Sequence, residues 1–330
     1  MARIFMDGFE TGDVSLWSGY NSSPATIQNT TPPGGISNYY HYAYSNRGLY
    51  KDFGTNKSEL YFSFKCYGTD PSASMDICAF KDSSFVITAN LKRNTSSNLL
   101  KLYLGTGTGT LLATGIVPIY GLRTYLIEIR YKPLNSGGIF TVKVDGVQDI
   151  NYSGDTTNGA EEIRQFHSGA IGPSDSAYWY IDDVIVDDAN WIGNTKVGII
   201  VPDGTGTTNN WTASAGNAWD CLNEIPPVDT DYVYSNTTNQ IATYAMTTIA
   251  SMNTVKAVQL QGRAAYEGSP TPTKIQLGVR ASGADYFATD LSPGVGFGPL
   301  IKILELNPAD SAAFEQADID ALEVGVKATA

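Results

Sequence analysis

The chain has 330 residues, enough for two domains with cores of their own, and its 33 Asp and Glu against 21 Lys and Arg give a net charge of −12. Charged residues are only 16% of the chain and no block of Lys and Arg occurs, which excludes a nucleic-acid interface built on phosphate neutralisation. No run of eighteen apolar residues exists to span a membrane, and Cys66, Cys78 and Cys221, odd in number and without CxxC spacing, predict buried thiols rather than disulfides or zinc ligands.

In chain order, residues 1–10 (MARIFMDGFE) lack the apolar core of a signal peptide, so synthesis in a cytoplasm is expected, with the protein staying there or leaving by lysis. Residues 5–20 read as a strand followed by acidic, Gly-rich turns. Residues 38–50 (NYYHYAYSNRGLY) are the densest aromatic cluster, which alternation divides between two faces. Residues 59–68 and 124–132 alternate as strands, and 99–115 reads as a hairpin around a Gly/Thr turn. Residues 140–152 carry Asp145-Gly146 between alternating residues, the strongest short-range hairpin signal. Residues 178–188 (YWYIDDVIVDD) form an acidic strand, 196–202 (KVGIIVP) a further apolar strand, and 203–210 (DGTGTTNN) a turn. Helical periodicity is nearly absent; residues 307–325 offer one or two short turns before a closing strand. The fold class is all-β, with a jelly-roll sandwich over residues 1–190 and a second β-sandwich over 191–330.

Catalytic patterns are missing. There are two histidines, His41 and His167, and no G-x-S-x-G elbow; the Gly/Thr runs lack the Lys-Ser/Thr of a phosphate loop. Asp182 and Asp183 are consecutive on a strand, so their side chains are expected on opposite faces and not as a facing pair. The reading is non-enzymatic. The aromatic cluster serves equally for sugar stacking and for a protein contact.

Residues 7–18 (DGFETGDVSLWS), 142–148 (VKVDGVQ) and 178–188 resemble the concanavalin A-like (laminin-G-like) jelly roll, whose hydrolases carry E-x-D-x-E strands that this chain lacks. Residues 191–233 and 317–328 are similar to segments of tailed-bacteriophage virion structural proteins. That resemblance implies a virion component, a capsid decoration or tail protein, docked to other virion proteins in many copies. A host-surface glycan is the alternative partner, as for a carbohydrate-binding adhesin; neither nucleic acid nor membrane is expected. No cofactor is implied except a structural calcium. In a jelly roll the first and last strands lie side by side, which would gather Asp7 and Glu10, with Asp13, near Asp182 and Asp183 as calcium ligands; the alternative is that these acids cap turns.

Overall fold

The computed structural model describes residues 3–21, 26–30, 36–37, 39–43, 47–69, 74–169, 179–250, 254–268 and 272–329. It divides into two compact units, Met1–Val197 and Gly198–Ala330. The division falls after Val197 rather than after residue 190, because residues 191–197 are bonded to the first unit. Gly193 N–H donates to Glu128 Oε1 at 2.9 Å and Val197 N–H to Asp183 Oδ1 at 2.7 Å. The Trp191 ring lies 3.7 Å from Lys143 Nζ and edge-on to Tyr61.

The strands of the first unit are β1 (Arg3–Asp7), β2 (Gly19–Tyr20), β3 (Thr26–Asn29), β4 (Tyr39–Ala43), β5 (Leu49–Lys57), β6 (Leu60–Gly68), β7 (Met75–Lys81), β8 (Ile87–Arg93), β9 (Leu100–Leu104), β10 (Thr110–Thr114), β11 (Thr124–Lys132), β12 (Gly138–Val144), β13 (Val147–Gly154), β14 (Ile163–Ser168) and β15 (Trp179–Asp187). They form an eight-stranded sheet, β13-β12-β11-β6-β15-β4-β3 with β1 also on β15, and a seven-stranded sheet, β10-β9-β8-β7-β14-β5-β2. The sheets face each other across aromatic side chains. Phe62, Tyr131 and Phe140 of the first sheet meet Phe80 of the second at 5.0, 4.9 and 5.7 Å between ring centroids. Phe166 stacks on Phe62 at 4.9 Å.

The alternating residues 59–68 and 124–132 become β6 and β11, paired antiparallel. Asp145 and Gly146, at φ of 50° and 80°, make the two-residue turn between β12 and β13; a positive φ at both central positions is what this hairpin requires. Cys66, Cys78 and Cys221 are free and buried, as expected.

The second unit holds β16 (Pro202–Asn209), β17 (Thr212–Ala213), β18 (Val233–Tyr234), β19 (Ile241–Met246), β20 (Val258–Ala264), β21 (Lys274–Ala281), β22 (Ala284–Phe287), β23 (Gly298–Leu304) and β24 (Glu323–Thr329), with one short helix, α1 (Gln316–Asp320). Its main sheet runs β16-β19-β24-β21-β22. Trp211 and Trp219 pack against buried Ala218, Ala242 and Tyr244. Two expectations are corrected here. Residues 196–201 are not a strand, and the strand instead begins at Pro202, the last residue of that run, and continues to Asn209 through residues expected to be a turn. Close packing explains why glycines serve there: a Cβ on Gly206 would sit 2.5 Å from the Thr243 carbonyl.

No helix among the described residues is long and apolar enough to cross a membrane.

Phe166 is fully buried and its ring meets Trp17, Phe62, Phe64 and Phe80. Phe166→Ala is expected to lower stability by about 3–5 kcal/mol. Urea unfolding checks this, and a loss under about 1 kcal/mol would show that the two sheets do not close on this ring.

Candidate functional site

β15 is the strand on which the site is built. On one edge it pairs with β6 along most of its length. On the other it pairs first with β4, through Trp179, Tyr180 and Ile181, and then with β1, through Val184 to Asp187. The changeover falls on Asp182 and Asp183. There the register with β6 shifts and Asp183 takes φ of 51°, a conformation Asp tolerates better than most side chains. The strict alternation expected for these two residues is therefore wrong: the bulge breaks it, and both carboxylates are buried beside each other.

The first and last strands do lie side by side, with Asp7 opposite Val184. The predicted acids gather around the bulge. Asp7 faces Asp13 and Asp182, and Glu10 faces Asp183, Ser37 and Lys196. Their oxygens are engaged by protein donors. Asp7 accepts Phe9 N–H and Trp17 Nε1–H, both at 2.7 Å. Asp182 accepts the Ser37 N–H and hydroxyl at 2.7 Å and the Asp183 N–H at 2.7 Å. Asp183 accepts Val197 N–H and lies 2.8 Å from Lys65 Nζ. Asp13 caps its own turn through Ser15 and Thr11.

Calcium requires six to eight oxygens free to turn toward it. These residues do not fit that demand. Each Asp7, Asp182 and Asp183 carboxylate has an N–H or ammonium donor in hydrogen-bond range, and Lys65 supplies the counter-charge. Among the described residues no set of three or more Asp, Glu, His or Cys converges as ligands. The cluster instead satisfies backbone N–H groups where the ladder is interrupted. Burial pushes the Asp7 carboxyl up to about 7 against its two donors, and pushes Asp182 up to about 6, with Asp183 as the next cause.

Above the bulge, the outer face of the eight-stranded sheet carries tyrosines. Ile181 is buried on the core side, so Tyr180 points outward, and its register partners are Tyr42 on β4 and Tyr67 on β6. Tyr67 lies parallel to Tyr180 at 5.7 Å, Tyr42 at 5.6 Å, and the more buried Tyr40 at 4.7 Å. Three strands thus present a continuous half-buried surface of phenol rings. Residues 38–50 contribute Tyr40 and Tyr42; Tyr44, like Tyr178 at the start of the acidic strand, lies outside the described residues. Sequence reasoning missed Tyr67 and Tyr180 as members of this surface. Each stood in a strand that was recognised, but only the register aligns them.

No family model and no curated protein matches the chain. Among solved structures it is similar to the carbohydrate-binding module CBM66 from Bacillus subtilis, at 13% identity over 53% of this chain and 98% of that one, with a TM-score of 0.37. It is also similar to the CBM2 module of the evolved Dit of Lactobacillus casei BL23 phage J-1, at 13% identity over 58% and 97%, with a TM-score of 0.37. A third is the alginate lyase Aly36B, at 12% identity over 55% and 89%, with a TM-score of 0.36.

Two outcomes follow from the acidic cluster. Chelator or added calcium is expected to leave the thermal midpoint unchanged, and a calcium-dependent rise in midpoint would restore the metal reading. Asp7 and Asp182 hold protons in the native state at pH values where the unfolded chain has released them. Their contribution to stability is therefore complete below about pH 4 and declines as pH rises through about 6 to 7, with a slope of at most about 1.4 kcal/mol per pH unit for each group. Urea midpoints at pH 5 and 7.5 measure it. Asp7→Asn should flatten the profile, and an unchanged slope in that variant would refute the assignment.

Proposed function

We propose that this chain is a non-enzymatic component of a bacteriophage particle whose first sandwich binds glycan through the outer face of its eight-stranded sheet. The observation that carries the glycan reading is the register of Tyr42, Tyr180 and Tyr67 across three adjacent strands. Sugar rings stack on aromatic planes, and phenol hydroxyls supply hydrogen bonds at the ring edges. The acidic cluster lies beside this surface but acts as backbone scaffolding, because its carboxylates are buried and hydrogen-bonded rather than poised in pairs across an open space. The particle setting rests on the similarity of residues 191–233 and 317–328 to virion structural proteins; docking to capsid or tail subunits in repeated copies belongs to that setting.

A bacterial-surface glycan array with purified protein tests the binding. Retention of at least one glycan is expected, and Tyr180→Ala should weaken it roughly tenfold, the equivalent of about 1.4 kcal/mol. A folded protein that retains no glycan, or a Tyr180→Ala variant that binds as well as the parent, would sink this reading. The particle setting has its own test: virions from a deletion mutant should lack the protein and change in composition, stability or adsorption. Unchanged virions, with the protein found only free in the lysate, would refute it.

A further inference from the structure

At the β15 bulge one ion pair has an unusual setting. Lys65 Nζ stands 2.8 Å from Asp183 Oδ2, with the aspartate side chain 1% exposed and the lysine 18%. Lys92 and Asp76, and Lys274 and Asp290, stand further apart, at 3.8 and 3.9 Å. Pairs as close as Lys65 and Asp183, such as Arg130–Glu59 and Arg164–Asp52 at 2.6 Å, use arginine, whose guanidinium stays charged and is no nucleophile. Asp183 Oδ2 is buried, and despite the short distance it has no hydrogen-bond partner among the described residues. The ammonium therefore touches this carboxylate without being aimed along a hydrogen bond. The other oxygen, Oδ1, accepts the Val197 N–H at 2.7 Å.

The surroundings are short of water. Asp182, the register partner of Lys65, is fully buried, and burial is the main cause that raises its carboxyl and that of Glu10, which faces Asp183. An ion pair held out of water loses the hydration that keeps it charged, so proton transfer to a neutral amine and a neutral acid becomes easier. The bulge holds these two groups in contact. Such fixed contact is worth an effective concentration on the order of 10⁵–10⁸ M, and exclusion of water keeps the reverse hydrolysis slow. Val197 N–H already polarises the oxygen that an attack on Cγ would leave in place.

We infer that Lys65 and Asp183 become joined by a side-chain amide, a covalent bridge between β6 and β15. Nζ attacks Cγ, the Cγ–Oδ2 bond breaks, and Oδ1 remains as the amide oxygen on the Val197 N–H. Two protons of the ammonium leave with Oδ2 as one water, so atoms and charge balance without an oxidant or an outside reactant. The bridge replaces a buried ion pair with a neutral amide and closes residues 65 to 183 into a covalent ring. It gives the sandwich a staple that reduction cannot open, in a chain whose cysteines are free. It requires neither a glycan nor a particle, so it stands or falls apart from the function proposed above.

Intact-mass spectrometry of the purified full chain in denaturant tests the bridge. The parent is expected to weigh one water less than its sequence. Trypsin should fail to cut after Lys65, and fragmentation of the digest should show one branched peptide that carries both Lys65 and Asp183. Lys65→Arg, which keeps the charge, and Lys65→Met should each have the full sequence mass and run more slowly than the parent on a denaturing gel. Lys92→Met, which removes the longer pair, should keep the loss of one water. Should a Lys65 variant fail to fold, the mass and branched peptide of the parent decide alone. The inference is overturned if the parent keeps its full sequence mass after prolonged incubation at neutral pH, or if Lys65→Arg loses the same water. It is equally overturned if the lost water maps to a cyclic imide within a single unbranched peptide.

Discussion

The exchange of partners along one edge of β15 is the constraint on which the first unit depends. A strand that pairs with β4 for three residues and with β1 for the next four must leave backbone groups unpaired between them. Those groups are buried, and a buried N–H without an acceptor costs about as much as a lost hydrogen bond. Asp182 and Asp183 resolve this by bringing acceptors to the gap. One receives Ser37 from the approach to β4, and the other receives Val197 from the segment that returns over the sheet. The cost is two desolvated carboxylates, which Lys65 offsets on one side and proton uptake at Asp182 on the other.

From that bulge the outer face of the sheet divides in two. Toward residue 179 the side chains that point outward are aromatic and remain partly accessible, with Tyr180 between Tyr42 and Tyr67. Toward residue 187 the face is covered by residues 191–197, tied down by Ser63, Glu128 and the stack of Trp191 on Lys143. The covering segment and the open surface are thus consequences of one irregularity. A regular β15 would keep Asp182 and Asp183 on opposite faces and leave Val197 without its acceptor.

Much of this was legible in the sequence where local chemistry decides the structure. Asp145-Gly146 specifies its turn through φ alone, and β6 and β11 follow from alternation between apolar and polar residues. The side-by-side placement of β1 and β15 followed from the jelly-roll resemblance. What stayed hidden depends on partners distant in sequence. The bulge at Asp183 has no sequence signal beyond a residue type that tolerates positive φ, and two adjacent aspartates in a strand read by default as opposite faces. β16 reads as a turn because Gly and Thr dominate it, yet Gly206 is there for close approach to β19.

The tyrosine face is a sheet surface over a core of interlocking rings, and this limits how it can bind. A close-packed aromatic interior does not deform to wrap a ligand, and Tyr42, Tyr180 and Tyr67 all stand on strands. Each contact therefore buries little of the ligand and gives modest affinity. Repetition compensates: copies held together on one particle convert later contacts into intramolecular ones, raising avidity by roughly 10²–10⁴ without any deeper pocket. Under the function proposed, the shallow tyrosine face and a multi-copy setting belong together, since a rigid face gains strength from number rather than from closure.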